Sequence, residues 1–280
     1  MTTMHTCVRW HRAILAFVPL MTFHMTHAQE FDRELMKRSS VTFIGTILQR
    51  NAVSFGAVPH TEQTAVVRAD QVLEKPIAIA LNNGDTLTVQ LNDPAALPEG
   101  TRAIFYAEGW IVGTGIALRE IGHTALDVQQ SAAAQEQNRE RYLMAKRQVQ
   151  DDDLRARLVA ADVVAYGSVV HVRRAEKPGR FITEHDPEWH EAVVQVRTAI
   201  KGVSVGEQIV VRFPGSMDVA FYRWPRFKEG DDHLLIASRD TITGLPQAMV
   251  AGKPVEAYVV GSAVDVLPKE ELERAQRLVK

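Results

Sequence analysis

The chain has 280 residues, 46% hydrophobic and 24% charged, with 17 glycines, 12 prolines and a formal net charge of −2. That composition is globular and excludes a disordered or collagen-like chain. The slightly acidic balance argues against a domain that grips nucleic-acid phosphates by charge.

The first 28 residues contain Arg9 and Arg12 and no acid, then the apolar run AILAFVPLMTF at 13–23, then Thr26-His27-Ala28. This is the layout of a secretory signal peptide cut after Ala28. Eleven apolar residues make about 16 Å of helix, roughly half a hydrocarbon core, so no stable membrane span is expected after cleavage. Removing the segment takes the formal net charge to −4 and removes Cys7, the one cysteine. The expected mature protein is periplasmic or secreted and must be held by its core rather than by disulfides. Thiol catalysis, zinc–thiolate centres and haem attachment through cysteine are excluded with it.

Beyond the signal, residues 31–38 predict a short helix, and the chain then repeats itself. VTFIGTILQR at 41–50 matches VVAYGSVVHV at 163–172, each with a central glycine, Gly45 and Gly167. TAVVRADQVLEK at 64–75 matches EAVVQVRTAIKG at 191–202, and GDTLTVQL at 84–91 matches GEQIVVRF at 206–213. PEGTRAIFYA at 98–107 matches KEGDDHLLIA at 228–237, and VGTGIA at 112–117 is aligned with VGSAVD at 260–265. Five collinear blocks indicate two copies of one domain. The blocks read as strands: 86–91 alternates polar and apolar residues, and turn chemistry (Asn82-Asn83-Gly84-Asp85) precedes it. A glycine inside a strand marks a bulge or bend, which a small barrel needs.

Between the copies, residues 126–160 lack Pro and Gly and are rich in Ala, Gln, Glu, Arg and Leu, which predicts helix. Its charged part, 129–150, reads as a spacer or a partner surface. Residues 268–280 predict a C-terminal helix, with Leu272, Ala275 and Leu278 at helical spacing. The fold class is therefore mainly β with flanking helices: two tandem OB-like five-stranded barrels joined by a helical connector. The expected divisions are the signal peptide 1–28, a first barrel with a leading helix at 29–125, the connector at 126–161, and a second barrel with a C-terminal helix at 162–280.

Several residues carry a resemblance. In the second copy these are Ala161-Asp162-Val163-Val164 with Gly167-Ser168-Val169, Ala192-Val193-Val194-Gln195-Val196 with Ile200-Lys201-Gly202, and Lys228-Glu229-Gly230 before Leu234-Leu235-Ile236. This order resembles the OB-like barrel of the tissue-inhibitor-of-metalloproteinases and netrin-module superfamily, in its cysteine-free bacterial exported form. In the first copy, Ser39-Ser40 replaces the Ala-Asp entry and Glu74-Lys75 replaces Lys-Gly. The animal inhibitors of that superfamily act through an N-terminal cysteine that reaches the protease zinc. Cleavage after Ala28 exposes Gln29 instead, so the resemblance implies the barrel without that inhibitory residue. A fold by itself warrants no activity.

The least ordinary stretch is 213–227 (FPGSMDVAFYRWPRF). It holds Phe213, Phe221, Tyr222, Trp224 and Phe227, with Arg223, Arg226 and Lys228 interleaved or adjacent. Its counterpart at 92–99 has no aromatic residue. Aromatic planes beside guanidinium groups stack on sugars or peptide side chains. The expected binding residues are Phe221, Tyr222, Arg223, Trp224 and Arg226; the competing reading has Phe221 and Trp224 capping the barrel.

Other chemistry has less support. His185, Glu188 and His190 fall within six residues, but Pro187 breaks the spacing that would aim them at a metal, and a solvated loop is expected. Asp231-Asp232-His233 reads as a turn. Ser168 lacks a nucleophile-elbow context, and His171 is expected on the opposite strand face. Gly113-Thr114-Gly115 is too short a signal for a nucleotide loop. The resulting expectation is an exported, non-enzymatic binding protein without cofactor or metal, contacting a protein or an envelope glycan. A protease inhibitor acting by surface insertion and a hydrolase with an unrecognised site are the alternatives, and the oligomeric state is left open.

Overall fold

The computed structural model describes residues 31–113, 115–126, 132–175 and 185–280. The expected signal segment, Thr114 and residues 127–131 lie outside the described residues.

Helix α1 (Arg33–Arg38) starts where the Asp32 carboxylate accepts the Leu35 N–H at 2.9 Å. Five strands follow: β1 (Val41–Arg50), β2 (Thr64–Glu74), β3 (Thr86–Gln90), β4 (Arg102–Val112) and β5 (Ile116–Ala125). They close into a barrel in the order β1-β2-β3-β5-β4, with β3 and β5 parallel and the other pairs antiparallel. Helix α2 (Ala132–Ala160) leads to β6 (Val163–Arg174), β7 (Trp189–Lys201), β8 (Gln208–Pro214) and β9 (Asp232–Arg239). Then come β10 (Ala248–Val250), β11 (Lys253–Val255), β12 (Ala257–Val259), β13 (Val266–Leu267) and helix α3 (Leu272–Val279). The second barrel runs β12-β8-β7-β6-β9 and closes through β12–β9 pairing. Its one parallel pair is β8 with β12, matching β3 with β5.

The duplication extends to irregularities. β1 slips against β2 at Thr42/Phe43, Ile44/Gly45 and Ile47/Gln49; β6 slips against β7 at Val164/Ala165, Tyr166/Gly167 and Val169/His171. Each pair of sites is the same distance apart along the chain. The cause at the middle slip is close approach of two backbones. A Cβ on Gly45 would lie 2.9 Å from the Arg68 carbonyl oxygen, and one on Gly167 would lie 2.5 Å from that of Gln195. Both glycines let the strand bend tightly enough to close the barrel. The turns before the third strands also match: Gly84 and Gly206 sit at φ of 90° and 85°, and their N–H groups donate to Ala69 and Val196 carbonyls at 2.7 and 2.9 Å.

One sequence alignment is corrected. Residues 260–265 are not the counterpart of 112–117. Ala117 pairs with Thr88 and Ala257 with Val210, so β12 is the counterpart of the start of β5. β13 matches its end, since Val266 pairs with Leu235 as His123 pairs with Phe105. The second barrel has split this strand in two, and residues 260–265 form the break.

Each barrel has an inner core, around Phe43, Leu87 and Phe105 in the first and around Val194, Val211 and Leu235 in the second. Each also buries an outer patch under helices. Ile44, Ile104 and Tyr106 lie beneath Met36 of α1 and Tyr142 of α2; Tyr166, Leu234 and Ile236 lie beneath Leu154 and Leu158 of α2 and Ala275 of α3. These strand positions are equivalent. Each repeat is thus helix, barrel, helix, and α2 is the trailing helix of one fused to the leading helix of the next. Tyr142 pins the joint: its hydroxyl donates to Glu74, and Lys146 donates to the Met36 carbonyl at 2.7 Å.

Candidate functional site

The aromatic stretch leaves the end of β8 and returns to β9 as an anchored loop. Its first residues are hydrogen-bonded to the strand entry below: Gly215 N–H to the Glu188 carbonyl at 3.0 Å and Ser216 N–H to that of Pro187 at 3.1 Å. Asp218 caps a 3-10 turn, Val219–Phe221, by accepting the Ala220 N–H at 2.7 Å, and it also contacts His185 Nδ1 at 2.7 Å. These two contacts, the backbone one foremost, hold the Asp218 carboxyl below its ordinary pKa. The far limb is tied down by the Ala263 N–H, which donates to the Arg223 carbonyl at 3.2 Å.

The five expected binding residues separate into two groups. Trp224 is half-buried, edge-on to Trp189 with centroids 5.8 Å apart. Arg226 is also half-buried and donates to the Ser216 carbonyl across the base of the loop. Phe221 is partly buried. These three hold the loop's shape. Phe213 and Phe227 belong to the barrel core, in edge contact at 5.2 Å. Tyr222 and Arg223 point outward: Tyr222 is 65% exposed, its hydroxyl accepts from Arg223 Nε at 2.6 Å, and the guanidinium carbon stands 5.3 Å from the ring centroid. The sequence reading missed Met217 and Val219, which are 91% and 77% exposed. Val219 and Tyr222 are three apart on the 3-10 turn and so share one face. Counting aromatics could not reveal these two aliphatic groups; their position beside a capping Asp was the available signal.

The histidines of 185–190 do not converge. His185 turns to Asp218, and His190 Nδ1 lies 2.8 Å from the Glu188 carbonyl with its ring against Phe213 at 5.6 Å. Among the described residues no group of three or more His, Cys, Asp or Glu gathers as metal ligands do.

Ser168 is buried and donates its hydroxyl to Asp232, whose carboxyl is held below its ordinary value chiefly by that bond. His171 is engaged elsewhere, with Glu229 at 2.7 Å. The first barrel explains the arrangement. At the position equivalent to Ser168, Thr46 donates to Asp70 at 2.6 Å, and Arg102 reaches the same carboxylate at 3.3 Å. In the second barrel the acid and base have exchanged strands: Asp232 takes the place of Arg102, and Arg197, 3.7 Å from Asp232, takes that of Asp70. A hydroxyl–carboxylate–guanidinium clamp conserved between the copies with its charges inverted is a cross-strand tie.

Compared with known proteins, the chain matches no family model and no curated protein.

Proposed function

We propose that this is an exported binding protein whose second barrel engages a partner in the cell envelope through Met217, Val219, Tyr222 and Arg223. On this reading it is a cysteine-free relative of the inhibitor and netrin-module barrels, with one copy kept as scaffold and the other carrying the contact. The observation that carries the reading is the pairing of a firmly anchored loop with exposed apolar side chains at its tip. An ordered loop loses little conformational entropy on docking. Tyrosine and arginine are the residue types that dominate interface energies, and an exposed methionine adapts to irregular partner surfaces. The aliphatic pair favours a protein partner over a glycan, because sugars stack on aromatic faces and gain little from Met or Val.

The test is site-specific photocrosslinking in the native cell. A photoreactive phenylalanine at Tyr222 is expected to trap one discrete, protease-sensitive adduct, and one at Val112 of the first barrel none. Adding Met217→Ser and Val219→Ser to the Tyr222 probe is expected to abolish the adduct with unchanged melting. Equal labelling from Tyr222 and Val112 would refute the reading; an adduct removed by glycan hydrolases alone would replace the protein by a glycan.

A further inference from the structure

The second barrel carries an insertion the first lacks. Three residues, 113–115, separate β4 from β5, whereas residues 240–256 separate β9 from β12 and include the β10–β11 hairpin. The hairpin lies over the outer face of β7 and β8, with Ala248 packed on Val193 and Val210. Its approach is fixed by an ion network with no counterpart in the first barrel. Arg212, 4% exposed, reaches Glu191 at 3.0 Å and Asp240 at 2.6 Å, and it also donates to Thr243 and the Pro246 carbonyl. Arg173 donates to Glu191 at 2.7 Å and to the Met249 carbonyl at 2.6 Å. The equivalent first-barrel positions are Gln90 for Arg212, Thr64 for Glu191 and Asn51 for Arg173, none of them charged. Burial pushes the Asp240 carboxyl up, but hydrogen bonds from Thr243 and Arg212 outweigh it and the group lies below its ordinary value. A buried network of this kind gains little stability over an apolar filling; what it supplies here is position.

What it positions is the wall of a cavity of about 380 Å³ between the hairpin and the ends of β6 and β7. One side is apolar, with Leu245, Ala248 and Met249. The other carries Arg173, Arg174 and Arg212 together with the Glu191 carboxylate. Arg212 has all its donors engaged within the protein. Arg173 has Nε and Nη2 engaged and no described partner on Nη1, and Arg174, paired through its backbone with His190, is exposed and its side chain has no hydrogen bond or ion pair to any described residue. Arg173 and Arg174, each with donors that no described residue engages, thus line a partly apolar recess, and the Glu191 carboxylate lines it beside Arg173. Guanidinium forks match the paired oxygens of carboxylates and phosphates. Single inorganic ions underfill such a space, which is of small-molecule size.

We infer that this cavity, formed by the hairpin, Arg173 and Arg174, binds a small amphiphilic acid: an oxyanion head on the two arginines and a short apolar body against Leu245 and Met249. Carboxylate and phosphate heads share that chemistry. The site is separate from the 217–223 loop, so either reading stands without the other.

The test is calorimetric titration of the full mature chain at low ionic strength with hexanoate, with monohexyl phosphate and with uncharged hexanol. One acid is expected to saturate at one site per chain, and the tighter of the two names the head group. Hexanol is expected to give no saturable heat. Arg174→Gln is expected to weaken the tighter acid by about tenfold, as loss of a charged hydrogen-bonding partner does. Its melting temperature without ligand should match the parent, since the Arg174 side chain ties down no described residue. Arg277→Gln on α3 is the charge control and is expected to bind as the parent. Absence of saturable binding by either acid overturns the inference. So does a change of less than about threefold in Arg174→Gln, or an equal weakening in Arg277→Gln, since about 1.4 kcal/mol corresponds to the tenfold effect sought.

Discussion

The two barrels share strand order, slip positions, glycine placements and turn bonds, yet differ wherever a loop leaves the sheet. In the first, residues 91–101 connect β3 to β4 with one short 3-10 turn, Pro94–Ala96. The second spends 215–231 on the same connection and leaves Met217, Val219 and Tyr222 in solvent. The three residues between β4 and β5 in the first correspond to 240–256 in the second, which include the β10–β11 hairpin, and the fifth strand there is broken at 260–265. Both copies retain what closes a barrel. The second has elaborated the connections from β8 to β9 and from β9 to β12, whereas the first is the longer between its second and third strands, 75–85 against 202–207. The first copy therefore serves as an internal control: a feature present in both is structural, and a feature of the second alone asks for another reason. By that rule the Ser168–Asp232 bond is structural, while the Arg212 network and the 217–223 tip are not accounted for by the barrel.

The comparison can be broken most sharply at Arg212. Arg212→Met leaves Glu191 and Asp240 buried without their shared cation, and a loss of about 3–5 kcal/mol in denaturant unfolding is expected. Gln90→Met, at the equivalent position, is expected to cost under about 1 kcal/mol, as at ordinary surface sites. Similar losses at the two positions would mean the network is not particular to the second barrel. Next come the strand glycines. Gly45→Ala and Gly167→Ala each drive a methyl into a carbonyl oxygen that cannot swing aside, and each is expected to cost about 1–3 kcal/mol, Gly167 more because its approach is closer.

The inverted clamp offers a constructive test. Asp70→Arg alone places a third cation beside Arg68 and Arg102 and leaves Thr46 without its acceptor; a loss of about 1–3 kcal/mol is expected. Adding Arg102→Asp rebuilds the second barrel's pattern in the first. It should recover at least half of that loss, read as a coupling energy in a double-mutant cycle.

The smallest effect belongs to His123. Its Nδ1 contacts the buried carboxylate of Glu120 at 2.5 Å, and that bond raises its pKa against the opposing effect of burial, with a lesser contribution from Asp93. A group with a raised folded value contributes stability that is complete below its unfolded value, about 6.5, and lost as pH climbs through the folded value. The melting temperature of the parent relative to His123→Gln is therefore expected to be higher at pH 5.5 than at pH 9, by about 2–4 °C for each kcal/mol of coupling. Val266 stands at the equivalent position, so no such dependence is expected from the second barrel there.

Much of the barrel was legible because closure constrains residue type. Gly45 and Gly167 announce the bend, the alternation at 86–91 announces a half-buried face, and the paired turn glycines set the spacing. The fifth strand was not legible: β12 is three residues long and follows a hairpin with no repeat to align it. In the candidate site, aromatic content was visible but its division was not. Phe213 and Phe227 are strand-end residues and go to the core, Trp224 finds Trp189 through a loop not adjacent in sequence, and the exposed tip is mostly aliphatic. The Arg212 network was invisible for a related reason. An arginine in an alternating strand reads as solvent-facing until a remote insertion folds back over it.

The fused helix α2 has a practical consequence. A protease nick or an engineered cut near its middle would deprive each barrel of half its roof, exposing Ile104 and Tyr106 on one side and Leu234 and Ile236 on the other. The twins are conjoined at this beam, and any attempt to study one alone must carry a length of the other's cover with it.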